Sequence, residues 1–166
     1  MLELPGGTAA PARFAVIAMG KLGGRELNFS SDVDLMYVYT GDGETEGASR
    51  ADGTAPGRIT NHQYFIRLAE KLSAAIGQKT EDGFVFRVDL RLRPEGQRGP
   101  LAQSLGGYEI YYESWGQTWE RAALIKARPV AGDEALGREF LERIAPFVFR
   151  KYLDFSAIAE IRDMKQ

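Results

Sequence analysis

None of the 166 residues is a cysteine, which excludes disulfides, thiolate metal sites and cysteine nucleophiles. Histidine occurs once, as His62, among Thr60, Asn61 and Gln63 at an apparent helix start, where a solvated position is the simpler reading. A Ser-His-Asp triad would have to use that single ring. Neither sign of charge dominates. The 21 Lys and Arg face 23 Asp and Glu, and the net charge of −2 gives no general attraction to nucleic acid or to an anionic membrane. Long hydrophobic runs are missing too. No apolar stretch approaches the ~20 residues of a membrane helix, and the opening MLELPGGTAAPARF lacks the basic and apolar regions of a secretory signal. A cytoplasmic protein is expected, with any phosphate site confined to a local cluster.

What is present fits one globular domain. The hydrophobic content is 44%, and a chain of this length hides roughly two-thirds of its unfolded surface. Residues 1–13, rich in Pro, Gly and Ala, read as a loose leader. Residues 14–19 form a continuous apolar run ended by glycine, the pattern of a strand covered on both faces, which a buried helix turn shares. A glycine-rich turn follows, and a second apolar strand opens with Asp32-Val33-Asp34. Residues 41–58 hold five glycines and few apolar groups, so they are expected to form a mobile loop.

Thr60 and Gln63 have capping-box spacing ahead of Phe65, Leu68, Ala69, Leu72, Ala75 and Ile76, which repeat at helical intervals up to Gly77. Residues 84–93, FVFRVDLRLR, alternate, with Phe84, Phe86, Val88, Leu90 and Leu92 on one face and Arg87, Asp89, Arg91 and Arg93 on the other. Pro94 stops the pairing. Ser104 is placed to cap a helix with the aromatic stripe Tyr108, Tyr111, Tyr112 and Trp115. Thr118 is expected to cap another that runs to Arg128 and stops at Pro129. Asp133 is expected to begin a third, with Leu136, Phe140, Ile144 and Phe147 inward and Pro146 as a kink. The last helical pattern, with Ile158 and Ile161, reaches Gln166 without a cap, as an excised piece would. The predicted fold class is α+β: a small mixed sheet backed by helices, with a catalytic core over 14–130 and a truncated helical C-terminal extension over 131–166.

The chemistry is concentrated around the second strand. Asp32 and Asp34 share a strand face by the period of two, and such a pair is tolerated if solvated, if one carboxyl is protonated, or if a cation lies between them. Gly20-Lys21, Gly23-Gly24 and Ser30-Ser31 precede the pair, and together they read as a turn rich in N–H donors suited to phosphate. Asp89 adds a third carboxylate from a later strand. Three carboxylates suit two hard divalent cations, which prefer oxygen ligands, and such pairs can clamp both oxygens of an in-line displacement at phosphorus. Lys21, Arg91, Arg93, Lys126 and Arg128 are the candidates to neutralise the phosphate charge.

A Gly pair, a loop, Asp-x-Asp on a strand and a later Asp resemble the DNA polymerase β-like nucleotidyltransferase superfamily, except that the usual Gly-Ser reads Gly20-Lys21. Within it, GKLGGRELNFSSDVDL, FRVDLRLRPEGQRGPL and WERAALIKARPVAGD resemble the glutamine synthetase adenylyltransferases, in which Gly-Lys is a family trait. The resemblance covers nearly all of residues 14–165 and implies a nucleotidyltransferase-type fold. Trp119-Glu120-Arg121, Ile125-Lys126-Ala127-Arg128 and the final Ile161-Arg162-Asp163-Met164-Lys165 are similar to the N-terminal, adenylyl-removing half. It implies Asp32, Asp34 and Asp89 as ligands of two Mg²⁺ or Mn²⁺ ions, with Asp89 as an alternative base. The implied partners are ADP or ATP, phosphate, glutamine synthetase as protein substrate, and the PII signalling protein in the long enzyme, with no nucleic acid or membrane. The implied reaction is phosphorolytic removal of AMP from an adenylyl-tyrosine, with adenylylation from ATP or a non-catalytic binding fragment as the competing readings.

Overall fold

The computed structural model describes residues 2–3, 9–47, 57–81, 83 and 85–150. Two short strands, β1 (Leu2–Glu3) and β2 (Ala9–Ala10), pair antiparallel at the start of the chain. The apolar run forms β3 (Phe14–Ala18), and the glycine turn contains one helical turn, α1 (Gly20–Gly23). The chain returns as β4 (Val33–Tyr39), antiparallel to β3 with Ala18 opposite Leu35. Helix α2 (Asn61–Gly77) begins at the expected capping box, in which the Thr60 hydroxyl accepts from the Gln63 N–H and the Gln63 side chain accepts from the Thr60 N–H. In its stripe Phe65 and Ala69 are buried, Leu68, Leu72 and Ile76 are partly buried, and Ala75 is exposed.

The strand expected over 84–93 shrinks to β5 (Val88–Asp89), parallel to Val33 and Asp34 of β4; Phe84 lies outside the described residues. Phe86, expected on the apolar face, is 36% exposed, which overturns its place in a buried strand. Two causes are local. Upstream, β4 starts at Val33, whose N–H meets the Arg87 carbonyl, so the residues before Arg87 lack a partner strand. Downstream, the Asp89 carboxylate accepts from the Arg91 N–H and bends the chain away. The chain rejoins the same edge of β4 as β6 (Ala102–Ser104), again parallel, after an excursion over residues 90–101.

Ser104 caps α3 (Leu105–Ser114) by accepting from the Gly107 N–H. Helix α4 (Thr118–Leu124) starts one residue before the reading above: Gln117 is the cap and Thr118 is already helical. It ends before Lys126. Arg128 joins a strand that the helical reading missed, β7 (Arg128–Gly132), antiparallel to β3. Pro129 is compatible with it because β7 is an edge strand. The sheet order is β5-β4-β3-β7, with β6 beside β4. The last described helix, α5 (Glu134–Val148), is capped by Asp133, contains Pro146, and buries Leu136, Phe140, Ile144 and Phe147. It packs on β3 and β7, and the Asp133 N–H bonds the Phe14 carbonyl. The expected helix around Ile158 and Ile161 lies outside the described residues.

The result is α+β, with a mixed sheet covered on both faces. Val33, Leu35, Tyr37 and Tyr39 of β4 pack with Val16 and Ala18 under α2, while Met36 and Val38 pack with Ala15 and Ile17 under α3, α4 and α5. With both faces apolar, the polar groups of β4 are confined to its N-terminal end. That end carries the candidate site.

Candidate active site

The β4–β5 pairing sets Asp34 directly beside Asp89, and Asp32 lies just ahead of β4. On the other side of β4, the turn after β3 returns so closely that the Met19 N–H bonds the Asp34 carbonyl. Gly20 then adopts φ +50°, and a Cβ there would lie 2.4 Å from Asp34 Oδ2. The close approach and the left-handed backbone together favour glycine at this position. Gly23 is constrained for another reason, since its Cβ would lie 2.1 Å from the Lys126 carbonyl oxygen. Gly24 is right-handed, and its N–H caps α1 on the Gly20 carbonyl. Ser30 is left-handed at φ +60°, while the Ser31 hydroxyl accepts from Lys21 Nζ at 3.3 Å.

The three carboxylates differ in their surroundings. Asp34 is half-buried, and among the described residues no donor is hydrogen-bonded to its carboxylate. Burial, and then the charges of Asp89 and Asp32, raise its pKa above the usual carboxylate value, against partial relief from Arg91 and Lys21. Asp89 is held by Arg91, whose Nε reaches Oδ2 at 2.8 Å and whose Nη2 reaches Oδ2 at 2.5 Å; this hydrogen bonding holds its pKa below the ordinary value. Asp32 accepts from Arg87 Nε at 2.5 Å. Among the described residues, no three acidic or histidine side chains are gathered around one point suited to a metal ion. The donor set is nonetheless all carboxylate oxygen, and Asp34 presents an unpartnered one, so in chemistry these residues fit a hard divalent cation.

Asp32, Arg87, Asp89, Arg91 and Arg93 line one side of a groove of about 970 Å³, whose other side is the C-terminal end of α2 with Ser73, Ala74 and Gly77. Of the other basic candidates, Arg93 lines the groove but spends its donors on backbone, and Lys126 and Arg128 do not line it. Arg93 is 7% exposed and gives its donors to the carbonyls of Leu90, Gln97 and Gly99, fastening the 90–101 excursion. Arg128 donates to the carbonyls of Leu22 and Gly23, and Lys126 pairs with Glu26 at 2.9 Å. These two brace the glycine turn from behind.

The sequence matches the family described as "Glutamate-ammonia ligase adenylyltransferase" over residues 3–143. The chain belongs to that family. It is 55% identical over 155 residues to the bifunctional glutamine synthetase adenylyltransferase/adenylyl-removing enzyme of Thioalkalivibrio sulfidiphilus, covering 93% of this chain and 15% of the relative. The like-named enzyme of Pseudomonas aeruginosa is 52% identical over 156 residues, with coverage of 94% and 15%. The chain therefore spans about 15% of the length of these curated relatives. The relatives are, by name, nucleotidyltransferases.

Two features of this family member escape a reading of motifs. Arg87 was placed on the polar face of its strand but not in the site, although its spacing of two from Asp89 puts both on one side. The α2 wall of the groove has no chemical signature at all, since Ser73, Ala74 and Gly77 are ordinary helix residues. Only the packing of α2 over β4 brings them there. Among the described residues, no helix is long and apolar enough to cross a membrane.

Proposed function

We propose that this chain is the nucleotidyl-transfer core of an adenylyl-removing half, acting on adenylyl-tyrosine of glutamine synthetase. The observation that carries the reading is the Asp34 carboxylate, which accepts no hydrogen bond from the described residues and is set beside Asp89 at the open end of β4, next to the Lys21 turn. Asp32, Asp34 and Asp89 would hold two Mg²⁺ ions, or Mn²⁺. Bound there, the metal would lower the charge on the attacking phosphate and stabilise the leaving phenolate. In the proposed step an oxygen of phosphate dianion forms a bond to the AMP phosphorus while the bond to the tyrosyl oxygen breaks. ADP leaves, and the phosphate's proton ends on the tyrosine. A dianion needs little deprotonation, so Asp89 serves better as a ligand than as a base.

Arg87 and Arg91 contact Asp32 and Asp89, Arg91 and Lys21 offset the charge around Asp34, and the residues around Trp119 and Lys126 resemble the removing half more than the transferring one. The test is ADP release from adenylylated glutamine synthetase with Mg²⁺ and phosphate. Phosphate-dependent ADP that Asp32→Asn abolishes, with the circular dichroism spectrum unchanged, is the expected result. ATP-dependent modification of unmodified glutamine synthetase would assign the forward reaction instead. An Asp32→Asn chain with full activity would remove the carboxylates from the mechanism.

A further inference from the structure

Two arginines occupy the carboxylate oxygens that the proposed cation site needs. Arg87 Nε is 2.5 Å from Asp32 Oδ1, and Arg91 forks onto Asp89 with contacts of 2.5 to 3.0 Å. Both arginine side chains otherwise stand in solvent, 70% and 65% exposed, and both line the large groove. Arg93 offers the contrast: it is buried, and its donors end on backbone carbonyls. Exposed carboxylate pairs of the Arg87 and Arg91 kind are weak, because water screens them. They are therefore easily exchanged for a stronger counter-charge.

We infer that Arg87 and Arg91 are exchangeable counter-ions that alternate between the carboxylates and the anionic substrate. Without a cation, they neutralise Asp32 and Asp89 and keep the carboxylate cluster from repelling itself apart. When a divalent cation takes those oxygens, each guanidinium is released at the wall of the groove, where its planar fork suits phosphate oxygens. The same two side chains thus oppose cation binding and favour anion binding. The inference rests on the carboxylates being a cation site, and it assigns a role to Arg87 that no motif gives it.

The opposed signs are what make it testable. In the whole 166-residue chain, the Arg87 and Arg91 Nε–H resonances, assigned through Arg87→Lys and Arg91→Lys, are followed as Mg²⁺ and then inorganic phosphate are added. Both resonances should shift and exchange faster with Mg²⁺, then regain protection with phosphate. In parallel, Arg87→Ala and Arg91→Ala should bind Mn²⁺ roughly two- to fivefold more tightly, the loss of an exposed competing pair. With Mn²⁺ saturating, they should bind phosphate at least about fivefold more weakly, as when a charged donor is lost.

Saturation with Mg²⁺ that leaves both resonances unmoved would overturn the exchange, even if the alanine variants bound Mn²⁺ more tightly through their changed charge. Weaker Mn²⁺ binding by the alanine variants would overturn it as well, because the arginines would then be props for the carboxylates. A wild-type chain that binds no divalent cation would overturn the cation reading itself, a different result from either of these.

Discussion

Asp34 carries a charge that the fold does not welcome. Burial and its two carboxylate neighbours raise its pKa, so the native state binds the proton more strongly than the unfolded chain does. For a raised carboxyl the advantage to folding is complete below the unfolded pKa and is lost as pH rises through the native one. Above the native pKa both states are ionised and the native state bears the repulsion. Asp34→Asn should therefore raise the melting temperature at pH 7 by roughly 1–4 °C, and the gain should vanish well below the ordinary value of 3.8, where the wild-type carboxyl is also neutral. Melting curves at both pH values check this. A variant less stable than wild type at pH 7 would mean that Asp34 has a stabilising partner. The neighbouring Gly20 shows how a correct residue can be read for the wrong reason: sequence offers it as an N–H donor, whereas the structure needs its missing side chain to let Asp34 approach.

Arg93 belongs to the scale of elements, because it ties residues 90, 97 and 99 into one unit between β5 and β6. Its burial, the main influence on its pKa, lowers that pKa, yet it stays charged and meets three carbonyls. Arg93→Ala should cost about 2–4 kcal/mol in urea unfolding, the range for charged hydrogen bonds lost with packing. Limited proteolysis should cut first within residues 95–100. An unchanged urea midpoint with weaker phosphate binding would return Arg93 to the substrate side of the groove. Helices α2 and α5 were legible because each combines a 3.6-residue apolar period with a side-chain cap, Thr60 or Asp133, and both signals are local. The strands were less so. The alternation over 84–93 is real in the sequence, but pairing depends on where β4 begins, which the pattern of residues 84–93 does not contain. Strand β7 was hidden because Pro129 reads as a helix stop, and only its place at the sheet edge makes a proline there harmless. The register of Asp34 beside Asp89 comes from strand pairing, whereas the arginine partners of Asp32 and Asp89 depend on side-chain rotamers that spacing leaves open.

For the molecule as a whole, the sheet is buried on both faces by aromatic side chains that end in hydroxyls. Tyr37, Tyr39, Tyr108 and Tyr112 are all 2% exposed or less. The first three find partners: Tyr37 the Ser73 hydroxyl at 2.7 Å, Tyr39 the His62 ring at 3.1 Å, and Tyr108 donates to the Tyr37 carbonyl at 3.1 Å. Among the described residues, the Tyr112 hydroxyl has no hydrogen-bond partner. Burial raises the pKa of all four above the ordinary 10.0, with Tyr39 pushed up to about 12. By the sign of that shift, stability is fully present below pH 10 and is lost as pH rises toward the native values, since unfolding releases these protons. The four buried tyrosines should gain tyrosinate absorbance only in step with the loss of far-ultraviolet circular dichroism, in one cooperative alkaline transition. Tyr112→Phe should shift that transition to higher pH and add about 0.5–2 kcal/mol at neutral pH, by removing a buried hydroxyl that lacks a partner. If tyrosinate absorbance instead rose to completion while the circular dichroism held, the two faces of the sheet would be open to hydroxide, and the tight double-sided packing that confines the charged site to one end of β4 would be wrong.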